Sequence, residues 1–438
     1  MFSINNFQKG KWTNWSNQYT AQPGNVYLPK TIDEVCEIVK QHAMTKRTIR
    51  VTGAAHSFSP VALPEQSAMS LHFLRGLIEV DENEQTATFY AGTYLHEVGP
   101  LLEQYGFALM NMGDIHEQTL AGVISTGTHG TGVTLGSFSS MVTKWGFVNG
   151  EGEYIEHVRG NDDLSNALAV SVGLLGILVT VTIKVIPLYS LEYLSERKDL
   201  YEEIKSFSQT IRENRHVEWY YFPGSETIQV KKMNMVEPKR QPALSKKIDE
   251  LQVQLLENNL FSVVSKLVKL KPTLAPSVSK LSSKLISEGK RVGLSYEIFP
   301  TPRTVKFVET EYAIPLEHFE ACIEEVHDAF LRRQFDVHFP IECRTTAGEQ
   351  GFLSPTQGNE SAFIAFHMYK GMNEEPYFQW LHSVLERYGG RPHWGKVNRY
   401  DASNIDKFYP QAQKFNEIRK THDPHNVFLT SYFKRIFE

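Results

Sequence analysis

The sequence has little cysteine, no surplus of positive charge and no long apolar run. Its 438 residues include three cysteines, Cys36, Cys322 and Cys343, whose separation suits neither a disulfide framework nor a zinc-ligand spacing. We therefore expect a protein of the reducing cytoplasm without a metal site. Lysine and arginine total 45 against 50 acidic residues, a balance that gives no general attraction for nucleic acid.

The stretch from Ala167 to Ile183 is uncharged but is interrupted by Gly173 and Gly176. A membrane-spanning helix needs about 20 apolar residues, and the β-branched run that ends this stretch favours a strand. We predict a buried turn and strand, and we do not expect membrane association. Residues 1–20 are polar and show no signal-peptide pattern.

Local patterns predict alternating helices and strands between Gly24 and Leu188. Thr31 is placed to cap one helix and Thr93 a second. Residues 77–80 and 87–91 are predicted to pair as a hairpin. Further strands are predicted at 218–223, 292–299, 335–344 and 362–369.

Residues 231–290 form a basic, helical segment with twelve Lys/Arg against five Asp/Glu. Its apolar residues recur at helical spacing: Leu251, Leu255, Leu256, Val263, Val264, Leu267 and Val268. This pattern favours a cover packed on its own domain over a surface that docks on a membrane or a partner.

Three clusters could carry chemistry. The run Val51-Thr52-Gly53-Ala54-Ala55-His56-Ser57-Phe58 joins a strand to a turn of small residues, where backbone N–H groups can approach a pyrophosphate. The alternative is an ordinary turn with a satisfied histidine. The Gly-, Ser- and Thr-rich run from Gly113 to Gly132 can supply many donors to a phosphate-rich ligand, but it matches neither the Walker nor the Rossmann fingerprint.

The third cluster lies in the C-terminal half. Strand alternation in Val337–Arg344 places Glu342 and Arg344 on one face. Cations, an indole and an imidazole follow in Arg391–Lys396. Taken alone, an acid and a guanidinium side by side favour an inert surface pair.

Together these segments make the sequence similar to flavoproteins of the vanillyl-alcohol-oxidase type, and within them to the aldonolactone and alditol oxidases. The matching segments are Gly53–Phe58, Gln118–Gly122, Ser125–Gly132, Glu342-x-Arg344, Arg391–Lys396 and Asp423–Phe428. The resemblance implies an α+β fold: a two-lobed FAD-binding domain (1–188), a substrate or cap domain built on an antiparallel sheet with flanking helices (189–405), and a C-terminal return (406–438).

The resemblance also implies FAD as the cofactor. Its expected contacts are Val51, Thr52, Gly53, Ala54, Ala55, His56, Ser57, Asp114, Thr119, Gly122, Val123, Ile124, Ser125 and Ile177. His56 holds the position that bonds covalently to the flavin 8α-methyl, although Ala54-Ala55 replaces the Gly-Gly or Gly-Arg that many relatives have there.

For the substrate, the resemblance assigns Glu342, Arg344 and Lys396 as catalytic residues and His367 as a further contact. It implies oxidation of a CH–OH group of a sugar lactone, of the L-gulono- or D-arabinono-1,4-lactone type, with hydride passing to flavin N5. The resemblance also implies, through Gly113, that molecular oxygen is the acceptor and hydrogen peroxide the product, because in that family a small residue near this position leaves room for oxygen beside the flavin.

Two alternatives stay open. An alditol oxidase acting on a polyol such as xylitol or sorbitol would present vicinal hydroxyls to the same three residues. From another class, a flavin-binding protein would act through the basic segment as a docking surface.

Overall fold

The structure is a computed structural model that describes residues 7–8, 10–242, 261–301 and 304–438. Leu251, Leu255 and Leu256 of the basic segment lie outside the described residues. The strands are β1 (Phe7–Gln8), β2 (Lys11–Thr13), β3 (Thr20–Ala21), β4 (Asn25–Tyr27), β5 (Ile49–Val51), β6 (Ser67–Met69), β7 (Leu77–Asp81), β8 (Thr86–Tyr90), β9 (Phe107–Ala108), β10 (Val142–Val148), β11 (Tyr154–Val158), β12 (Ile177–Lys184), β13 (Ile186–Pro187), β14 (Ser190–Asp199), β15 (His216–Tyr221), β16 (Thr227–Val236), β17 (Gly289–Leu294), β18 (Phe307–Pro315), β19 (Ile341–Thr346), β20 (Ser361–Tyr369) and β21 (Arg391–Pro392).

The α-helices are α1 (Ile32–Thr45), α2 (Leu95–Glu103), α3 (Leu120–Thr126), α4 (Asp163–Ala169), α5 (Leu200–Glu213), α6 (Phe261–Leu270), α7 (Ala275–Lys284), α8 (Ser295–Ile298), α9 (Phe319–Leu331), α10 (Glu375–Arg387), α11 (Ile405–Phe408), α12 (Ala412–His422) and α13 (Ser431–Phe437). Among the described helices, none has the length and apolarity needed to cross a bilayer.

The N-terminal half contains a parallel sheet (β4-β6-β5) and an antiparallel sheet (β11-β10-β12-β8-β7). The predicted hairpin is confirmed as β7 and β8, with Leu77 opposite Phe89. The predicted strand near Ile183 is also confirmed, because β12 pairs with both β10 and β8.

One of the two predicted helix caps is confirmed. The Thr31 hydroxyl accepts the Glu34 N–H at 3.1 Å and so begins α1. The prediction for Thr93 is wrong, because Tyr94 is the residue that precedes α2. The Thr93 hydroxyl instead donates to the Tyr90 carbonyl at 2.6 Å and fastens the turn after β8.

The second half is built on one antiparallel sheet of eight strands, in the order β17-β14-β16-β15-β19-β20-β18-β21. Helices α5, α9 and α10 pack their apolar side chains against one face of this sheet. Period two then directs Glu218, Tyr220, Glu342 and Arg344 to the opposite face. The expected α+β fold with an antiparallel cap sheet is thus confirmed.

Two predicted strands are shorter than expected. The strand predicted at 335–344 begins only at Ile341, because Pro340 has no N–H to donate to the ladder. The strand predicted at 292–299 ends at Leu294. Its pairing partner there, Ser190, is the first residue of β14, so β14 offers no residue with which the chain after Leu294 could pair. Residues Ser295–Ile298 form a helical turn instead.

The C-terminal segment returns to the first half. Side chains of α11, α12 and α13 share one core with β10 and α2. The Asp423 carboxylate accepts the Val427 and Phe428 N–H groups at 2.7 and 2.9 Å, and the Ile49 N–H donates to the Val427 carbonyl at 2.9 Å. The end of the chain is therefore fixed beside β5. The domain limits at 188 and 405 stay predictions.

The basic segment does not pack as expected. Val268 is buried, which confirms that part of the prediction, but Val263 and Leu267 are 55% and 54% exposed. The other buried positions of these helices hold small residues, among them Ser265 and Ser279.

Candidate functional site

Two adjoining clefts share His56, Ser57, Gln118 and Thr126 in their walls. The larger cleft, of about 1010 Å³, lies among residues of the N-terminal half together with Phe428. The smaller, of about 650 Å³, lies between the loop at 113–129 and the polar face of the cap sheet.

The loop after β5 forms one wall of the larger cleft. All seven predicted residues line it: Val51, Thr52, Gly53, Ala54, Ala55, His56 and Ser57. A Cβ on Gly53 would lie 2.6 Å from the Thr119 hydroxyl oxygen, so any larger residue there would displace the Thr119 side chain. The buried Thr52 hydroxyl has no hydrogen-bond partner within the described part of the chain.

Helix α3 forms a second wall and corrects part of the prediction. Gly122 and Ser125 line the cleft, but Val123 and Ile124 are fully buried in the core. The reason is the 3.6-residue period, which turns these two side chains to the opposite face of the helix. Ile177 lines the cleft as predicted, whereas Asp114 lines the smaller cleft instead.

These residues fit FAD. The loop of small side chains leaves its backbone open to a close-lying pyrophosphate, and the unpartnered Thr52 hydroxyl can bond a ligand. Among the described residues that line the larger cleft there is no carboxylate to repel an anion. The cleft is therefore suited to a phosphate-bearing cofactor.

His56 lies where the two clefts meet. Its ring stacks on Trp15 at 5.8 Å between centroids. Burial lowers the pKa of His56 to about 4, so the imidazole is neutral at physiological pH and keeps a nitrogen lone pair. The following residues are tied to the Lys396 loop, because the Phe58 N–H donates to the Gly395 carbonyl at 2.6 Å.

Arg344 occupies the smaller cleft within a group of acids. Its Nε donates to Glu342 Oε1 at 2.9 Å, and its guanidinium lies 3.5 Å from Asp114 and 3.9 Å from Glu218. The Tyr220 hydroxyl lies 2.8 Å from Glu342 and 3.2 Å from Asp114. The prediction that strand period two would bring Glu342 and Arg344 together is thus confirmed.

The acids around Arg344 do not all ionise together. Burial and the neighbouring Asp114 carboxylate raise the pKa of Glu218 to about 8. Burial alone would lower the pKa of Arg344, but Glu342, Asp114 and Glu218 hold it well above its usual range. Arg344 is therefore a permanent cation in the wall of the cleft, and the group of acids beside it retains a proton on Glu218.

Lys396 forms a second ionic group in the same cleft. Its ammonium lies 2.6 Å from Glu309 and 3.8 Å from Glu311. Burial alone would raise the pKa of Glu311, but Lys396 and His129 together hold it well below its usual range. His367 lies 3.7 Å from Glu309 and lines the cleft. The structure thus brings all four residues predicted as catalytic into one cleft.

The sequence reasoning missed Glu218, Tyr220, Glu309, Glu311 and His129. A partial signal was present, because Glu309 and Glu311 are two residues apart in β18 and so share one of its faces. Acids that share one face of a buried strand need a common cationic partner. That criterion marks these two acids as site candidates, but it does not identify the cation that they meet.

Comparisons with known proteins agree with this geometry. The sequence model of a family described as D-arabinono-1,4-lactone oxidase matches residues 181–436, and that of an FAD binding domain matches residues 23–157. The chain is similar to L-gulono-1,4-lactone dehydrogenase of Mycobacterium tuberculosis, with 31% identity over 97% of this chain and 98% of the relative. It is 26% identical to L-gulonolactone oxidase of Mus musculus over 99% and 100% of the two chains. It is 25% identical to D-arabinono-1,4-lactone oxidase of Kluyveromyces lactis over 95% of this chain and 94% of the relative.

The fold also matches solved structures. Cholesterol oxidase from B. sterolicum superposes with a TM-score of 0.80 over 98% of this chain and 97% of that one, at 15% sequence identity. At this identity the match shows the fold alone. Its agreement with the two family matches and with the cofactor cleft leads to one conclusion. This chain is an FAD-dependent oxidoreductase and belongs to the D-arabinono-1,4-lactone oxidase family.

Proposed function

We propose that this protein oxidises a CH–OH group of an aldono-1,4-lactone, of the L-gulono or D-arabinono type, with molecular oxygen as the electron acceptor. The observation that carries the proposal is the pairing of Arg344 and Lys396, each fixed by buried carboxylates, in a cleft that adjoins the cofactor cleft. The names of the similar lactone oxidases and dehydrogenases support the substrate class.

The roles of the residues follow from their charges. When bound, FAD supplies an acceptor for the hydride that leaves the carbinol carbon. Arg344 presents a planar fork that suits adjacent hydroxyls or a lactone carbonyl, and Glu342 fixes its orientation. The hydroxyl proton must also leave, and the Glu309 carboxylate, 2.6 Å from the Lys396 ammonium in the same cleft, is placed to accept it. The ammonium stabilises the negative charge that develops on the carbinol oxygen.

His56 is proposed as the residue that carries the flavin through a covalent bond. Its neutral imidazole and its position at the junction of the two clefts support this role. Oxygen as the acceptor is a separate proposal, because the names of the relatives include both oxidases and a dehydrogenase. Gly113, which lines the smaller cleft, supports it. A cytoplasmic location stays a prediction.

The test is to replace Arg344 and assay a panel of lactones and polyols. We expect Arg344→Ala and Arg344→Lys to lower kcat/KM at least ~100-fold with unchanged flavin content, because neither side chain offers the same two-pronged donor. Arg387→Ala, at an exposed arginine paired with Glu325, is the matched control. Activity within about tenfold of wild type, or ~1.4 kcal/mol of barrier, would remove Arg344 from the proposal. Preference for xylitol or sorbitol over the lactones would make the protein an alditol oxidase.

A further inference from the structure

The two helices of the basic segment, α6 and α7, have the reverse of the usual amphipathic arrangement. Their inward positions hold Ser265, Ala275, Ser279 and Ser283, which are at most 2% exposed. Ser265 bonds the buried His338 at 2.9 Å. A surface helix normally buries its large apolar residues and exposes its polar ones. Here small residues, together with Phe261 and Val268, make the contact with the protein.

Although Val268 is buried, several large apolar residues of this segment point outward. Six of the sixteen exposed large apolar side chains in the described chain lie here: Val263 (55%), Leu267 (54%), Leu270 (84%), Leu274 (38%), Leu281 (56%) and Leu285 (63%). Val263, Leu267 and Leu270 follow the helical spacing of four and three residues along α6, so they form one stripe. Leu274 lies in the turn between the two helices, and Leu285 directly follows α7. A concentration of this kind on one surface marks an interaction site.

Lysines flank the stripe. Residues 261–290 contain six lysines and one acid, Glu288. Lys266, Lys269, Lys271, Lys280 and Lys284 are all exposed. Outward leucines bordered by lysines are the pattern of a helix that lies in the headgroup region of an anionic bilayer.

We propose that α6 and α7 form a docking face for an anionic lipid surface, with the leucines inserted among the acyl chains and the lysines on the phosphates. Lipid fits better than a second copy of this chain, because a two-fold contact would set lysines against lysines. The face lies close to the smaller cleft: Phe261 of α6 packs on Phe339 at 4.8 Å, and Phe339 lies 6.3 Å from His367. Docking would therefore hold the substrate cleft near the membrane surface.

The experiment is co-sedimentation of the flavin-loaded protein with vesicles of phosphatidylcholine, either alone or mixed with phosphatidylglycerol. We expect binding to the mixed vesicles that weakens as salt is added. Lys266→Gln and Lys280→Gln should each weaken binding about fivefold, and Leu267→Ser/Leu270→Ser/Leu285→Ser should abolish it. The matched controls are Met44→Ser, which is also 84% exposed, and Lys205→Gln on α5.

The rate of lactone oxidation in solution reports whether each variant is folded, because the substituted side chains do not line the substrate cleft. If the triple variant fails that check, Leu270→Ser alone carries the test. Absence of binding by the wild-type protein would overturn the proposal, as would equal losses in the controls. A wild-type dimer that the leucine variant converts to monomer, without vesicle binding, would assign the face to a second copy and also overturn it.

Discussion

Glu218 holds a proton at neutral pH because three buried carboxyl groups, those of Asp114, Glu218 and Glu342, lie around the single guanidinium of Arg344. Its carboxyl, that of Asp114 and that of Glu342 have oxygens within 4.8 Å of one another. Burial and Asp114 raise its pKa from 4.5 to about 8. Between these two pH values the folded protein keeps a proton that the unfolded chain has released, so the free energy of unfolding falls as the pH rises.

The size of this effect follows from the same two values. A pKa raised from 4.5 to about 8 corresponds to ~5 kcal/mol at ~1.4 kcal/mol per pH unit. Because the neighbouring acids share the proton, we expect roughly half of this, ~2–3 kcal/mol, to be assigned to Glu218. Glu218→Gln keeps the shape of the side chain but removes its titration. The variant should therefore lose ~2–3 kcal/mol less stability than the wild type between pH ~5 and pH ~8.

The measurement is urea denaturation of the flavin-loaded proteins across this pH range. Glu82→Gln, in the exposed loop between β7 and β8, is the control and should follow the wild type. The kcat/KM of the wild type should also fall above pH ~8, because an ionised Glu218 adds negative charge beside Arg344. Equal pH slopes for wild type and Glu218→Gln would refute the reasoning.

Three further predictions concern the cofactor side of the site. Gly113→Ala should slow reoxidation by oxygen in stopped-flow experiments while lactone-driven flavin reduction is kept, because the added methyl group would occupy the room that Gly113 is proposed to leave for oxygen in the smaller cleft. Unchanged reoxidation would contradict this prediction. His56→Ala should release all flavin on acid precipitation, whereas the wild type should keep it in the pellet. Ala55 has a left-handed φ of 52°, so Ala55→Gly should raise the free energy of unfolding by ~1 kcal/mol. Ala54→Gly, at a residue without a positive φ, should lower it instead.

The parts of the site that were predictable are those set by local sequence. A turn of small residues after a strand shows in the run from Val51 to Ser57. The side-by-side position of Glu342 and Arg344 follows from the two-residue period of a strand. Neither inference needs any knowledge of the tertiary structure.

The other contacts of the site depend on which strands and loops the tertiary fold brings together. Glu218 meets Arg344 because β15 pairs with β19, with Trp219 opposite Cys343, across more than a hundred residues of chain. Asp114 reaches the same cluster from a loop of the other half. No local pattern specifies these pairings. The burial of the Val123 and Ile124 side chains was missed for a different reason, because a whole motif was taken as cofactor contacts without regard to which face of the helix meets the cleft.

The fixed position of the C-terminal segment makes the cofactor cleft the product of two distant parts of the sequence. Phe428 lines the larger cleft, and Val427 holds β5 through the Ile49 N–H. A fragment that contains the whole N-terminal half but not these two residues therefore lacks part of the wall of the cofactor cleft. We expect such a fragment to retain less FAD than a protein that contains both parts.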